Sequence, residues 1–222
     1  TFHARAETMF AVANGYLGVR GTHDEGVPAL SPGAFVNGFH ETWPIVHAEE
    51  AYGYARTGQT IVNVPDTTAM RLLVDDEPLF VPTARLREYE RVLDFRAGTL
   101  TRQAAWSTPA GKHVAVRSCR LVSLEHRHLM AVSYEVVMRD RAAPVVVRSQ
   151  VLNREDLDNP DPSERPSDPR RGNELLDRVL NATVVESPRD GRILLGYRTT
   201  RSGMTLGVGV DHVVETEAPY ET

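Results

Sequence analysis

The sequence is poor in two residue types that mark particular classes of protein. It has one cysteine, Cys119, among 222 residues, so no disulfide can form within the chain. A single thiol is typical of a reducing compartment rather than of a secreted, disulfide-rich domain. Lys112 is the only lysine, the arginines are spread along the chain, and the net charge is −5, so there is no basic stripe for nucleic acid. We therefore expect a cytoplasmic protein that does not bind nucleic acid.

Long apolar runs are also absent. No run approaches the roughly 18 residues that a membrane-spanning helix needs. The first ten residues, TFHARAETMF, lack the apolar centre of a signal peptide and do not begin with methionine. These absences predict a soluble chain without a membrane partner, and we expect it to be a fragment or a processed product.

Helical periodicity is scarce, whereas apolar residues often recur at every second position. The stretch HLMAVSYEVVM places alternate apolar side chains of residues 130–138 on one face, as a strand does. Turn signals at Asp75–Glu77 and Pro109–Gly111 separate such stretches. Many strands with almost no helix predict an all-β sandwich or barrel, formed by a single domain over residues 1–222. A charged, proline-rich segment, Arg154–Glu174, is predicted to be a long surface loop.

The stretch FAVANGYLGVRG is rich in glycine and allows two interpretations. A phosphate-binding loop would need a helix after the glycines, but VRGTHDEGVPALSPG follows and has no helical period. An Asn-Gly pair between apolar residues is instead a strong hairpin signal, because both central turn positions favour positive φ. We predict that Asn14–Gly15 forms the centre of this turn and that Gly18 and Gly21 allow a bulge or a close backbone approach.

The residues alone reveal no catalytic or metal-binding constellation. His126 and His128 lack a third ligand at a recognisable spacing, so no metal site is expected. Cys119 lies in a strand pattern that predicts a structural thiol, and no G-x-S-x-G motif is present. Several acidic residues could serve as a general acid, but the sequence identifies no acid–base pair among them. They are Glu7, Glu41, Glu49, Glu50, Asp75, Asp76, Glu88 and Glu90.

The segment His40–Thr60 breaks the alternating pattern and is predicted to be irregular. It holds the candidate ligand-binding side chains Trp43, His47, Tyr52 and Tyr54. Two interpretations stay open: a packed connecting loop, or a loop that contacts a ligand or another domain.

Several stretches, in this order along the chain, resemble the N-terminal region of glycoside hydrolase family 65. They are ETMFAVANGYLGVRGTHDEG, PGAFVNGFHE, IVNVPD, RVLDFRAGTLTRQAAW and TPAGKHVAVRSCRLVSLEHRHLMAVSYEV. The family includes maltose, trehalose and kojibiose phosphorylases and acid trehalases. The resemblance implies an antiparallel two-sheet super-sandwich, similar to galactose mutarotase.

The resemblance also implies that catalysis occurs outside this chain. In the family a following (α/α)6 barrel carries the general acid and, in phosphorylases, the phosphate site, so no catalytic residue is assigned here. The implied function is a non-catalytic N-terminal domain of an enzyme acting on α-linked glucose disaccharides. Its implied partners are the barrel of the same polypeptide, the α-glucoside substrate and a second copy in a homodimer. No cofactor is expected, and phosphate is the co-substrate of a parent phosphorylase.

Two alternatives remain at this stage. A free carbohydrate-binding module would use exposed aromatic side chains as sugar platforms, and the candidates are Trp43, Tyr52, Tyr54 and Trp106. A mutarotase-like sugar epimerase would need a histidine and a glutamate on one face of a sheet. Its candidates are His113, His126, His128 and Glu135.

Overall fold

The chain folds almost entirely into antiparallel strands, which confirms the predicted all-β class. The computed structural model describes residues 3–27, 29, 33–49, 51–153, 178–187 and 191–222. The predicted surface loop Arg154–Glu174 lies outside these residues. The helix and strands are α1 (His3–Met9), β1 (Val12–Ala13), β2 (Leu17–Val19), β3 (Ala34–Pro44), β4 (Thr57–Val64), β5 (Asp66–Val74), β6 (Glu77–Pro78), β7 (Arg85–Asp94), β8 (Thr99–Ser107), β9 (His113–Val122), β10 (Met130–Met138), β11 (Val145–Leu152), β12 (Leu180–Glu186), β13 (Ile193–Thr199) and β14 (Thr205–Val210).

The strands form four sheets within the described residues. Their orders are β1-β2-β3-β4, β10-β9-β8-β7, β11-β5-β6 and β12-β13-β14. The chain divides into two compact units. The first comprises Thr1–Asn37 and Asn63–Arg154, and the second comprises Gly38–Val62 and Glu155–Thr222.

The first unit is a sandwich with an apolar core between two sheets. Alternate residues of β9 are buried, and the same alternation in β8 buries Trp106. These side chains pack against β5 and the residue that follows β6, and the buried cluster consists of Leu72, Val74, Leu79, Trp106, Val114 and Val116. Burying one large apolar side chain contributes about 1.5–3 kcal/mol, so this cluster is a main source of stability for the unit.

Two tight turns of the first unit lie where the sequence predicts them. Asp75 and Asp76 connect β5 to β6 with φ angles of 51° and 62°, and Val74 pairs with Glu77 across the turn. Positive φ at both central positions matches the right-handed twist of the flanking strands. Gly111, with a φ of 82°, closes the turn between β8 and β9.

The second unit contains the β12-β13-β14 sheet and most of the hairpin of β3 and β4. The prediction that His40–Thr60 is irregular throughout is wrong at both ends, because β3 extends to Pro44 and β4 begins at Thr57. The described residues of the loop between these strands are 45–49 and 51–56. The inward positions of β3 at this point are Phe39 and Glu41, both buried, and a buried carboxylate interrupts the apolar alternation that marks a strand.

Candidate functional site

The glycine-rich opening stretch forms a hairpin rather than a phosphate-binding loop. The amide of Asn14 donates a hydrogen bond to the carbonyl oxygen of Leu17 over 3.1 Å, and Gly15 has a φ of +87°. The central turn residues are therefore Gly15 and Tyr16, and the prediction of Asn14–Gly15 is one residue too early. The reason is that the Asn14 Oδ1 accepts hydrogen bonds from the amides of Tyr16 and Leu17, at 2.9 and 2.8 Å, which fixes Asn14 before the turn.

The side chain of Asn14 also ties this hairpin to the turn between β9 and β10. Its Nδ2 donates to the carbonyl oxygens of Ser123 and Arg127, at 2.6 and 3.0 Å. The Arg127 guanidinium lies 4.9 Å from the centre of the Tyr16 ring, and His128 contacts the same ring edge-on. The predicted histidine pair thus belongs to a structural turn, and the described residues contain no group of three or more metal-ligating side chains.

Gly18 and Gly21 lie at crowded backbone positions. A β-carbon on Gly18 would lie 3.2 Å from the Cβ of Ala13, its partner in β1. One on Gly21 would lie 2.6 Å from the carbonyl oxygen of Phe10. The Gly21 amide donates to the carbonyl oxygen of Glu7 over 2.7 Å, which fixes the strand exit against α1.

A buried ionic cluster follows directly after this stretch, and sequence reasoning missed it. Arg120 Nη2 lies 2.9 Å from Asp24 Oδ1, and Arg102 Nε lies 2.9 Å from Asp24 Oδ2. Arg102 Nη1 also donates to both oxygens of Glu25, at 2.7 and 2.9 Å. The Ser118 hydroxyl donates a further hydrogen bond to Asp24 Oδ2. The loop that carries both carboxylates is thereby fixed to the inner face of β8 and β9.

The two carboxyl groups of this cluster differ in electrostatic environment. Burial raises the pKa of Asp24, but the guanidinium groups of Arg102 and Arg120 outweigh it and hold that pKa below its usual value. Burial also raises the pKa of Glu25, which pairs with Arg102 and is repelled by Asp24, so its pKa lies above the usual value. Asp24 is paired with Arg102 of β8 and Arg120 of β9, so the cluster anchors the loop to these strands.

Nearby aromatic and arginine side chains complete the cluster. Arg91 donates to the carbonyl oxygen of Gly21 over 2.8 Å, and its guanidinium lies 4.6 Å from the centre of the Phe10 ring. The hydroxyl group of Tyr89 lies 3.1 Å from His23 Nδ1. The alternation of buried and exposed residues in β8 and β9 could have indicated this cluster. It places Arg102 and Arg120 at inward positions, where an arginine needs an acidic partner.

The predicted ligand-binding residues lie on and beside the loop of residues 45–56. Trp43 is half-buried on β3, where its ring packs across Gly58 of the neighbouring strand. His47 bonds to the carbonyl oxygen of Ala55 over 2.8 Å, and its ring centre lies 4.9 Å from that of Tyr54. Tyr52 is fully exposed and Tyr54 is 54% exposed. The structure thus brings His47 and Tyr54 together at the surface. Tyr52 lies two residues before Tyr54, whereas the Trp43 ring packs against Gly58 of β4.

Glu41 fixes the strand that leads into this loop. Its buried carboxylate accepts hydrogen bonds from three amides: Thr42 at 2.8 Å, Arg201 at 2.8 Å and Ser202 at 2.6 Å. Burial raises the pKa of Glu41, but the three amide donors outweigh it, so the pKa lies below its usual value. The carboxylate therefore stabilises the base of the loop. Both of its oxygens accept amide hydrogen bonds, which disfavours a role as a general acid or base.

The candidate epimerase residues are only partly brought together. His113 and Glu135 line one groove on the outer face of β7 to β10, whereas His126 and His128 lie in the β9–β10 turn. His113 Nε2 lies 2.6 Å from Arg87 Nη2, and its Nδ1 lies 3.5 Å from Asp140 Oδ2. Both ring nitrogens are engaged by side chains of the protein, which disfavours an acid–base role for His113 toward a sugar.

No helix within the described ranges is long and apolar enough to cross a membrane.

Comparisons with known proteins match almost the whole chain. A sequence profile described as "Glycosyl hydrolase family 65, N-terminal domain" matches residues 2–222. An uncharacterized glycosyl hydrolase from Mycobacterium tuberculosis is 43% identical over 218 residues, which cover 98% of this chain and 27% of that protein. An alpha,alpha-trehalose phosphorylase from Thermoanaerobacter brockii is 33% identical over 221 residues, with 98% of this chain and 28% of that enzyme covered. The chain thus spans little more than a quarter of the length of these relatives.

A solved structure shares the fold. It belongs to a protein from the human microbiome that is assigned as a kojibiose phosphorylase, with a TM-score of 0.74. The match covers 98% of this chain and 26% of that chain, at 19% sequence identity. At this identity the likeness establishes the fold alone.

Proposed function

Because this chain belongs to glycosyl hydrolase family 65, as the resemblance of its quoted stretches predicts, we propose that it is the non-catalytic N-terminal domain of a larger enzyme. That enzyme acts on α-linked glucose disaccharides, either by phosphorolysis or by hydrolysis. The observation that carries the proposal is that the match covers 98% of this chain but only 28% of the trehalose phosphorylase. The buried carboxylates Asp24, Glu25 and Glu41 act as structural anchors, which supports a non-catalytic role.

The proposed task of the domain is to support the catalytic barrel of the same polypeptide. We assign the loop of residues 45–56 to the surface that faces this barrel and the α-glucoside. Its support is physical: the loop is held by the contact of His47 with Ala55, and it exposes Tyr52 and Tyr54 to solvent. A held loop with exposed aromatic side chains loses little conformational entropy when it binds.

The first experiment uses the full-length enzyme with both tyrosines changed, Tyr52→Ala and Tyr54→Ala. We expect kcat/KM for the disaccharide to fall by about fivefold or more, the equivalent of about 1 kcal/mol of lost contact. The matched control is Phe95→Ala, which removes another exposed aromatic side chain from a turn of the first unit. Unchanged kcat/KM in the double variant, or an equal loss in the control, would contradict the assignment of the loop.

A second experiment tests the absence of catalysis in this chain. The purified 222-residue chain is incubated with trehalose, maltose, kojibiose and nigerose, with and without phosphate, and released glucose and glucose 1-phosphate are measured. An inverting reaction needs an acid and an activated water or phosphate on opposite sides of the glycosidic bond. We expect no turnover. Turnover above that of a mock preparation, abolished in a His113→Ala variant, would contradict the non-catalytic role and favour a self-contained enzyme.

A free carbohydrate-binding module is the second candidate, favoured by the exposure of Tyr52 and Tyr54. Calorimetric titration of the 222-residue chain with the same disaccharides separates the two functions, because only a free module binds sugar without the barrel. A cytoplasmic location and a homodimer belong to the proposal as well, the former because of the single cysteine. No cofactor is included, and phosphate enters as the co-substrate if the parent enzyme is a phosphorylase.

A further inference from the structure

A groove of about 640 Å³ lies on the outer face of the β7 to β10 sheet, within the first unit. Its floor is formed by small or apolar side chains in register, Ala105 of β8 beside Ala115 of β9 and Val137 of β10. Because these side chains are short, the sheet surface is lower here than on either side. A groove of this volume lies within the range of small-molecule sites.

Two polar rows border this floor. Gln103, Arg117 and Glu135 form one row in register across the three strands. On the other side, the backbone amide of Arg139 bonds to His113, so that these two residues form the second row. The rows are separated by four residues along each strand, which places them about 13 Å apart. That spacing accommodates one sugar ring with an attached anionic group.

The arginines of the groove differ from those of the buried cluster because they have no acidic partner. Arg117 and Arg139 form no ion pair with any residue that the structure describes, although Glu135 stands opposite Arg117 in register. Arg87 is held by Ser107 Oγ, at 3.0 Å, and by the His113 ring, rather than by a carboxylate. Three guanidinium groups therefore border the floor without a direct carboxylate contact, in a groove that Glu88 and Glu135 also line.

We propose that this groove binds a phosphate monoester of a sugar. Guanidinium groups bind phosphate through paired N–H donors, and Arg87, Arg117 and Arg139 supply such donors around the floor. Sugar hydroxyl groups both donate and accept hydrogen bonds, which suits Glu88, Glu135 and Gln103 at the border. The proposal does not depend on the proposed role of the domain, since it concerns only groups of the first unit.

Contacts within the protein fix the orientation of the Arg87 side chain. His113 Nε2 can accept a hydrogen bond from Arg87 only when that nitrogen carries no proton, and His113 Nδ1 faces Asp140. The chain of contacts from Asp140 through His113 to Arg87 fixes the guanidinium before any ligand arrives. A fixed donor binds with a smaller loss of conformational entropy than a free one.

The test is a calorimetric titration of the 222-residue chain with inorganic phosphate, glucose 1-phosphate, glucose 6-phosphate and glucose. We expect both sugar phosphates to bind, phosphate to bind more weakly, and glucose not to bind. Arg117→Gln and Arg139→Gln should each weaken sugar phosphate binding by about tenfold, the loss of one charge-assisted contact. Ala115→Leu raises the floor and should weaken the sugar phosphates far more than inorganic phosphate.

The matched control is Arg71→Gln, which removes the same charge from an exposed position of β5. Thermal unfolding of each variant verifies that these surface changes leave the fold intact. Failure of both sugar phosphates to bind at millimolar concentration overturns the proposal. Equal weakening by Arg71→Gln and Arg117→Gln also overturns it, because binding would then follow net charge rather than the groove. If inorganic phosphate binds as tightly as the sugar esters, the sugar part of the proposal is wrong.

Discussion

Gly21 lies so close to Phe10 that a β-carbon at Gly21 would fall 2.6 Å from the Phe10 carbonyl oxygen and 2.7 Å from its carbonyl carbon. Backbone atoms cannot move aside as the end of a flexible side chain can. The contact joins the residue that follows α1 to the exit of the β1–β2 hairpin. Close packing against Phe10 therefore explains why a glycine stands at position 21, and no bound phosphate is needed to explain it.

The first prediction concerns this contact. Gly21→Ala should lower the free energy of unfolding by about 1–3 kcal/mol, the usual cost of inserting atoms into a filled space. Gly207→Ala is the matched control, because a β-carbon there meets nothing within 4 Å and its φ is not positive. Urea denaturation of both variants measures the difference. Equal midpoints for the two variants would show that the Phe10 contact is not rigid.

The sequence predicted this region well because its signals are local. An Asn-Gly pair between apolar residues indicates a hairpin, and Gly15 does have positive φ. The exact turn position depends on the Asn14 side chain, which can stand either inside a turn or just before it. The sequence predicted that Gly21 allows a bulge or a close backbone approach. Its neighbour Phe10 could be identified only from the structure.

The second prediction concerns Asn14, whose side chain makes four hydrogen bonds. Asn14→Ala should destabilise the chain by about 1–3 kcal/mol, because backbone groups on two turns lose their hydrogen bonds. Asn37→Ala is the control, since exposed Asn37 makes one side-chain bond, to the carbonyl oxygen of Gly15 at 3.1 Å. Thermal unfolding and amide hydrogen exchange in the β9–β10 turn are the measurements. A loss no larger than that of the control would contradict the role of Asn14 as a link between turns.

The third prediction concerns the buried ionic cluster. Asp24→Asn leaves Arg102 and Arg120 buried with one acidic partner, Glu25, and should cost about 3–5 kcal/mol. The control is Asp211→Asn, which breaks the solvent-exposed pair with Arg192 and should change stability little. Chemical denaturation at pH 7 compares them. Similar small effects in both variants would mean that water enters the cluster and screens it.

This cluster also shows where sequence reasoning ends. Asp24 and Glu25 lie in a polar stretch, THDEG, that is typical of a solvated loop. Their arginine partners follow 77 and 96 residues later, on β8 and β9. Pairing over such distances depends on the sheet register, which no local pattern specifies. The groove was missed for the same reason, because its floor and borders come from neighbouring strands.

The last prediction is the pH dependence that Glu41 contributes. Its pKa in the folded chain lies below the usual value of 4.5, because three amide donors outweigh burial and stabilise the charged form. When the folded pKa of an acid is lowered, its stabilising contribution is present above the unfolded pKa and is lost as the pH falls through the folded pKa. Stability should therefore decrease below about pH 4.5.

Glu41→Gln isolates this contribution from those of Asp24 and Glu25. The amide side chain cannot accept all three bonds, since its nitrogen is a donor, so the variant should be less stable than the wild type at pH 7. The difference between the two proteins should shrink as the pH falls from 7 to 3, because the unfolded wild-type chain binds a proton at Glu41 that the variant cannot bind. Urea denaturation at a series of pH values measures this difference. A difference that stays constant over the series would show that the Glu41 carboxylate is not the titrating group.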